Sequence, residues 1–208
     1  MAQITTINKN DELFPESLKV IGEKCPERIY ALGNLDLLKS EHMVAIIGSR
    51  KATRAGNSKA YELGLNYARK GYVVVSGLAF GCDAAAHRGC MAGEGGTIAI
   101  VATGLDRVHP QENVPLQEEI LRKGGLILSE QPLGVKANAT RLVARNRLQA
   151  ALSEEVVVAE CPVHSGTMHT VRFAQKYGKK IKAAIFPYDK EENSGNKFII
   201  TTGLGTGI

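Results

Sequence analysis

Three cations lie within five residues of one another in the segment Gly48-Ser49-Arg50-Lys51-Ala52-Thr53-Arg54. The segment follows an apolar run directly, so it begins where a buried strand is expected to end. Backbone N–H groups and a serine hydroxyl donate hydrogen bonds to phosphate in such a turn, and an arginine binds two phosphate oxygens at once. We therefore predict phosphate contacts at Gly48, Ser49, Arg50 and Lys51, against the alternative of a solvated basic loop.

The stretch YVVVSGLAFGCDAAAH, from Tyr72 to His87, is a second candidate. Its three consecutive valines are typical of a strand buried on both faces, and the small residues Ser76, Gly77 and Gly81 follow them. The alanine-rich run after Asp83 predicts a helix. A helix that begins after a small-residue loop attracts anions through free N–H groups and its dipole. The same glycines are equally typical of a tight connection, so both interpretations stay open for this loop alone.

His87 follows Asp83 by four residues, so the predicted helix places both side chains on one face. A structural hydrogen bond between them, contact with a ligand, and general acid/base catalysis are the three possible roles. The structural role is favoured, and we include both residues in the predicted ligand-binding region. No catalytic residue is predicted, because no GxSxG elbow accompanies the candidate nucleophiles Ser49, Ser76 and Ser165.

A second basic cluster is formed by Arg141, Arg145 and Arg147. Arg145 and Arg147 reach one ligand only if a new element begins between them, and Asn146 has the side chain of a helix N-cap. We therefore expect a short helix from Asn146, with all three residues of Arg145-Asn146-Arg147 beside the ligand, against the alternative of a solvated basic face.

Ser165-Gly166-Thr167 is another loop of small residues between a predicted strand and a predicted helix, as at Ser76-Gly77. Several such loops at one sheet edge form a row of anion sites, which suits a chain of phosphates better than a single phosphate.

Other chemistries have little support in the sequence. Cys161, His164 and His169 lie within nine residues of one another, but their spacing matches no common zinc pattern. Neither GxGxxG nor GxxxxGK[ST] follows the first predicted strand, so dinucleotide and P-loop nucleotide binding lose their main support. We predict no metal and no cofactor.

Six apolar strands alternate with helices from residue 43 onward. We predict strands at 44–47, 72–75, 97–102, 125–128, 156–159 and 181–186, and helices at 57–70, 83–92, 116–123, 146–152 and 167–177. This alternation predicts an α/β domain with a mostly parallel sheet that has helices on both faces. Ligands bind outside the carboxyl ends of the strands in such folds, which is where the basic and small-residue loops fall. Residues 129–145 are predicted to be the longest internal loop.

Residues 1–42 are predicted to form a short N-terminal extension packed on a domain of residues 43–208. Within the extension we expect a helical turn near Leu13–Ile21, an edge strand at Ile29–Gly33, and a short helix after the N-cap Asn34.

The composition is that of an ordinary globular chain, with 44% hydrophobic residues, 23% charged residues and a net charge of +5 in 208 residues. The positive charge permits a polyanionic partner, while five Phe, six Tyr and no Trp do not favour a broad aromatic platform for bases. No apolar run approaches the ~20 residues that span a membrane. The start MAQITTINKNDELF does not resemble a signal peptide, so we expect a cytoplasmic protein with four free thiols.

Taken together, the motifs resemble those of the DNA-processing protein A (DprA/Smf) family. The resemblance rests on Phe14-Pro15 with Leu18, on Tyr30 to Leu35, and on seven motifs in the family's order: VAIIGSRKAT, SGLAFGCDAAAH, GTIAIVATGLDRVHPQEN, LILSEQPLG, RNRLQAALSEEVVVAE, SGTMHTVRFA and SGNKFIITTG. Each motif alone is modest, but their combination is highly specific and covers nearly the whole chain.

The resemblance implies a Rossmann-like domain that binds single-stranded DNA, protects it during natural transformation and helps to load a RecA-type recombinase. It implies homodimerisation through this domain and a place for Gly48, Ser49 and Arg50 in the DNA-binding pocket. By position, Ser76, Gly77, Gly81 and Asp83 would shape that pocket, and Arg145, Asn146 and Arg147 would flank the strand.

The chain departs from the family pattern in several places. Many members carry a C-terminal winged-helix-like domain, which is not expected within these 208 residues. Phe80, His164 and His169 are unusual for their motifs, and Phe80 is open to two roles, stacking on a base or packing inside.

The alternative to a DNA-binding protein is a small-nucleotide sensor or an enzyme. The cytokinin-activating phosphoribohydrolases carry PGGxGTxxE in the loop that here reads from Pro162 to Thr170. Gly166-Thr167 are retained, but Thr170 stands where the glutamate is expected, so the acid/base group of that reaction is missing.

Overall fold

A computed structural model describes residues 3–208, so the first two residues of the predicted N-terminal extension lie outside it. The strands are β1 (Ile4–Asn8), β2 (Arg28–Gly33), β3 (Met43–Ile47), β4 (Val73–Ser76), β5 (Thr97–Val101), β6 (Leu126–Ser129), β7 (Glu155–Val158), β8 (Lys180–Ala183) and β9 (Thr206–Gly207). The α-helices are α1 (Arg54–Arg69), α2 (Cys82–Ala92), α3 (Val114–Arg122), α4 (Ala139–Leu152), α5 (Thr167–Lys176) and α6 (Ser194–Thr201). Short 3₁₀ helices span Glu16–Lys24, Leu35–Lys39, Gln111–Asn113 and Glu191–Asn193.

All nine strands of residues 3–208 form one sheet, in the order β1-β2-β6-β5-β4-β3-β7-β8-β9. The pairs β1–β2 and β2–β6 are antiparallel, and every other pair is parallel. The chain builds outward from β3 to β6 on one side and then from β7 to β9 on the other. The order therefore reverses between β3 and β7, and such a switch point opens a crevice at the carboxyl ends of the two strands.

The core lies on both faces of the central strands, because alternate residues point to opposite sides of a sheet. Val44 and Ile46 of β3 pack with the α1 and α2 side chains on one face. Ala45 and Ile47 pack on the other face with side chains of α4, α5, α6 and the first 3₁₀ helix. The predicted mostly parallel α/β fold with helices on both faces is confirmed.

Several predicted boundaries were wrong. Helix α4 begins at Ala139, seven residues before the predicted start, because the Asn138 side chain accepts a hydrogen bond from the Arg141 N–H at 2.8 Å and caps it. The last seven residues of the loop predicted at 129–145 are therefore helix, and Asn146 lies within α4. Strands β1 and β9 and helix α6 were not predicted.

Strand β2 was predicted as an edge strand, but it pairs with β1 on one side and with β6 on the other. The short helix after Asn34 is present, and the Asn34 side chain accepts a hydrogen bond from the Asp36 N–H at 3.1 Å. The division into an extension at 1–42 and a domain at 43–208 stays a prediction. Within residues 3–208, no helix combines the length and apolarity that a membrane crossing requires.

Candidate nucleic-acid interface

A cleft of about 710 Å³ lies at the switch point, over the carboxyl ends of β3 and β7. It brings together most of the residues that the sequence indicated. Those that line it are Gly48, Ser49, Arg50, Lys51, Asp83, Arg145, Asn146, Ser165, Gly166 and Thr167. Leu142 and Val143 of α4 line it as well. We call this the switch-point cleft.

The loop after β3 presents two cations to solvent. The Ser49 N–H donates to the Glu160 carbonyl at 2.7 Å, and the Ser49 hydroxyl oxygen accepts from the Lys51 N–H at 3.0 Å, which fixes the turn. Arg50 and Lys51 are exposed. Neither forms an ion pair with any carboxylate in residues 3–208, so both charges are available to a ligand.

Glu160 anchors this loop, and sequence reasoning missed it. Its carboxylate accepts from the Thr53 N–H and from the Thr53 hydroxyl, both at 2.7 Å, and Thr53 in turn caps α1 at the Gly56 N–H. Glu160 is fully buried, and a Cβ added at Gly56 would overlap its carboxylate. A charged residue directly after the four apolar residues Val156 to Ala159 was the available signal, because a buried charge needs specific partners.

Gly81 allows the second loop to lie against the first. Its φ is +71°, which glycine adopts without strain, and a Cβ added there would overlap the Ser49 carbonyl oxygen. The Cys82 N–H donates to that same oxygen at 3.2 Å. Gly81 therefore positions the Ser49–Arg50 loop by close backbone approach, and α2 begins at Cys82 rather than at the predicted Asp83.

Arg145 forms a wall of the cleft from inside the protein. It is 4% exposed, and one of its terminal nitrogens donates to the Gly77 carbonyl at 2.7 Å and to the Ile100 carbonyl. Burial lowers the pKa of Arg145 to about 10, and the neighbouring Asp83 opposes that shift. Arg145 thus ties α4 to the loop after β4 and to the end of β5.

Asp83 is the buried acidic neighbour of Arg145. Burial raises the pKa of Asp83, while Arg145 and the Ala79 N–H, which donates to its carboxylate at 3.4 Å, oppose the shift. The positive charge of Arg145 and the negative charge of Asp83 therefore offset each other beside the cleft. Their hydrogen bonds to Gly77 and Ala79 fix the shape of the 77–81 loop.

Asn146 and the Ser165-Gly166-Thr167 loop close the opposite side. The Asn146 side chain accepts from the Arg145 Nε at 3.3 Å and donates to the Gly166 carbonyl at 3.4 Å. Helix α5 begins at Thr167 without a side-chain cap, and the buried Ser165 hydroxyl has no hydrogen-bond partner in residues 3–208. An uncapped helix N-terminus at the wall of a cleft is suited to an anion.

Arg147 does not line the switch-point cleft, which corrects its place in the predicted site. Its guanidinium donates to both carboxylate oxygens of Glu130 and to the Lys24 carbonyl. Because α4 runs continuously past Asn146, successive residues point in different directions, and Arg147 neutralises Glu130 instead of facing Arg145.

Ser76 and His87 are fully buried, so neither side chain can touch a ligand, and their predicted contacts are corrected as well. The Ser76 hydroxyl donates to the Ile46 carbonyl at 2.7 Å and joins β4 to β3. The His87 Nδ1 lies 2.8 Å from the Thr97 hydroxyl, which itself donates to the Val74 carbonyl, so Nδ1–H is the donor. The favoured structural role for His87 holds, but with Thr97 as partner in place of Asp83.

His87 should make stability depend on pH. Burial, Arg145 and Arg88 together lower its pKa from 6.5 to about 3, and Nε2 has no partner in residues 3–208. A depressed folded-state pKa means that the unfolded chain binds the proton first, so the stabilisation is present above pH 6.5 and is lost as the pH falls towards 3. Between about pH 6.5 and about pH 4.5, His87 should account for a loss of about 2 kcal/mol in the free energy of unfolding.

Urea unfolding of the wild type and of His87→Gln across that range measures this effect. The variant should lose about 2 kcal/mol of the pH dependence, while the control His164→Gln, at an exposed position, should keep all of it. An unchanged pH dependence in His87→Gln would contradict the assignment.

Comparison with known proteins places this geometry in a family. The family model of DNA recombination-mediator protein A matches residues 5–206. The Smf protein of Synechocystis is 37% identical over 181 residues, which are 86% of this chain and 45% of that protein. The chain thus spans about half the length of this relative.

Two solved structures resemble the fold closely. DprA from Streptococcus pneumoniae superposes with a TM-score of 0.91 at 32% identity, over 99% of this chain and 71% of the other. DprA from Helicobacter pylori, whose structure gives insight into the unique single-stranded DNA binding mode of that protein, superposes with a TM-score of 0.89 at 31% identity. The superposition covers 99% of this chain and 91% of the other. With a family model matched over nearly its whole length and these structural neighbours, the chain belongs to the DNA recombination-mediator protein A (DprA/Smf) family.

Proposed function

We propose that the switch-point cleft binds single-stranded DNA, mainly through the phosphates. The observation that carries the proposal is the pairing of two exposed, unpaired cations, Arg50 and Lys51, with the uncapped start of α5 on the opposite side of one cleft. Cations, backbone N–H groups and helix N-termini are the groups that contact phosphate oxygens. No aromatic side chain lines this cleft within residues 3–208, so base stacking does not contribute there.

The relatives support the same ligand. The H. pylori protein is described by its binding of single-stranded DNA, and its fold is shared along nearly all of this chain. Curated relatives from Bacillus subtilis and S. pneumoniae are named DNA processing proteins. We infer a role of this chain in DNA processing, in recombination and in natural transformation.

An enzymatic function has less support than binding. Thr170 lines the cleft where a phosphoribohydrolase would need its glutamate, and His87 is buried beneath the surface. The two carboxylates at the cleft are Asp83, which balances Arg145, and Glu192, which is exposed at the rim. A small-nucleotide sensor is the second candidate, because the cleft has the volume of a nucleotide site.

The partners and the compartment are proposals that follow from the family. We infer a homodimer, a RecA-type recombinase as a partner and a cytoplasmic location. Exposed Ile185, Phe198 and Ile208 near the edge strand β9 favour a protein contact there, and the four buried free cysteines fit a reducing compartment. Sedimentation of the protein alone and with the recombinase tests both associations. A monomer mass for the protein alone would contradict the homodimer, and two components that sediment separately in the mixture would contradict the complex with the recombinase.

The direct test is a titration of labelled single-stranded oligonucleotides, with duplex DNA and nucleoside monophosphates as competitors. Arg50→Gln should weaken binding of single strands roughly tenfold, since it removes a charged hydrogen bond, and to a similar degree for every sequence. Arg69→Gln removes the same charge from the far, exposed end of α1 and should bind like the wild type.

Two results would contradict the proposal. Equal weakening by Arg50→Gln and Arg69→Gln would show a general charge effect in place of a site. Release of free base from a nucleoside monophosphate, abolished by Arg50→Gln, would favour the enzyme instead.

A further inference from the structure

We propose that a second groove, between α1 and α2, stacks bases of the DNA whose phosphates occupy the switch-point cleft. The groove has a volume of about 980 Å³ and lies beside the first cleft. The inference deepens the proposed function and rests on it, because it assigns the bases of the same strand to a surface that the phosphate site does not include.

Two exposed aromatic side chains carry the inference. Phe80, in the loop before α2, is 42% exposed, and Tyr61 on α1 is 39% exposed, and both line the groove. A ligand that covers these rings would remove further apolar surface from water. Aromatic faces accept any nucleobase, which suits a strand that is bound without regard to sequence.

The charges beside the aromatic rings are also those of a nucleic-acid surface. Arg54 and Arg88 line the groove and are exposed, and neither forms an ion pair with a carboxylate in residues 3–208. Glu62 is the opposing carboxylate on the groove wall. Two cations against one anion leave the groove positive, in continuity with Arg50 and Lys51 of the adjoining cleft.

The two grooves share the segment 79–84, which is the end of the loop before α2 and the first turn of α2, so a strand can pass from one to the other. Ala79 and Asp83 line the switch-point cleft, whereas Phe80 and Ala84 line the groove between α1 and α2. Between them, a Cβ added at Gly81 would lie 2.9 Å from the Arg50 carbonyl oxygen. The backbones of Arg50 and Phe80 are thus held together through Gly81, and we expect a strand bound at Arg50 to reach Phe80.

The groove walls are held by close helix packing. A Cβ added at Gly64 of α1 would overlap the Ala86 carbonyl oxygen of α2, and one added at Gly89 of α2 would overlap the Tyr61 carbonyl oxygen. Backbones in such contact do not shift independently, so the two aromatic rings are supported by a rigid helix pair. Binding then costs little additional ordering of the protein.

The test compares an oligothymidylate with a strand of equal length in which alternate residues are abasic. The wild type should prefer the base-bearing strand roughly tenfold. Phe80→Leu keeps an apolar side chain but removes the aromatic face, and it should lose most of this preference while keeping its affinity for the abasic strand. Tyr61→Phe keeps the ring and should behave like the wild type, whereas Tyr61→Leu should resemble Phe80→Leu.

A 2-aminopurine placed along the strand gives an independent readout, because stacking quenches its fluorescence. Quenching that disappears in Phe80→Leu supports the groove, provided that thermal melting shows the variant to be folded. Undiminished quenching and preference in both Leu variants would overturn the inference while the phosphate site stands. Failure of the wild type to bind either strand would overturn the proposed function and the groove together.

Discussion

Replacing Arg145 by leucine should lower the free energy of unfolding by about 3–5 kcal/mol, the cost of breaking a buried charge arrangement by removing one partner. Two carbonyl groups, those of Gly77 and Ile100, would lose their donor inside the protein. Asp83 would keep a buried carboxylate without the cation that now opposes the upward shift of its pKa. Urea unfolding near neutral pH measures the loss.

Two matched variants separate these contributions. Arg141→Leu, one turn earlier on α4, removes a half-buried guanidinium whose side chain donates only to the Lys136 carbonyl at 3.2 Å, and it should cost less than about 1 kcal/mol. The double variant Asp83→Asn with Arg145→Leu should be more stable than Arg145→Leu alone, because no unpaired charge remains. If Arg145→Leu is as stable as Arg141→Leu, the internal role of Arg145 is wrong.

Gly81→Ala should be the most damaging small substitution at the site, with a loss of about 3 kcal/mol in stability. The positive φ costs about 1–2 kcal/mol for any other residue, and displacing the Ser49 carbonyl by a methyl group costs about 1–3 kcal/mol. Because Ser49 and Arg50 must move, affinity for single-stranded DNA should fall as well. Denaturation and oligonucleotide titration of the same variant measure both effects.

Gly71→Ala is the control for backbone strain alone. Gly71 has φ +82°, but nothing lies within 4 Å of a Cβ added there, so the substitution should cost about 1–2 kcal/mol and leave DNA binding unchanged. Equal losses for the two alanine variants would show that the contact between Gly81 and Ser49 does not matter for the site.

The fold and the position of the site could be predicted because their signals are local. Consecutive valines and isoleucines mark buried parallel strands, and the strand-end rule then points to the loops that follow them, among them 48–56, 76–83 and 160–167. Residues of these loops, from Gly48 to Thr167, do line one cleft.

The start of α4 was missed because its first turns do not bury an apolar stripe. Leu142 and Val143 are half-buried against the cleft, so this part of the helix lacks the periodicity that identifies a helix in a sequence. The helix is fixed by the Asn138 cap and by the anchoring of Arg145 within the protein.

The internal roles of charged and polar residues were also beyond the sequence. Arg145, Glu160 and His87 belong to types that are mostly exposed or only partly buried, and their burial depends on partners more than nine residues away along the chain. Glu160 meets Thr53 across the switch point, and His87 meets Thr97 across a loop. Such contacts appear only once the strand order is known.

The most direct test of the phosphate-binding cleft is the salt dependence of single-stranded DNA binding. A plot of log affinity against log salt concentration should fall with a slope of about −0.7 for each phosphate contacted, and Arg50→Gln should make that slope shallower by about 0.7. Arg69→Gln should leave it unchanged. A flat salt dependence, or the same slope in the wild type and in Arg50→Gln, would contradict binding of the strand through its phosphates at this cleft.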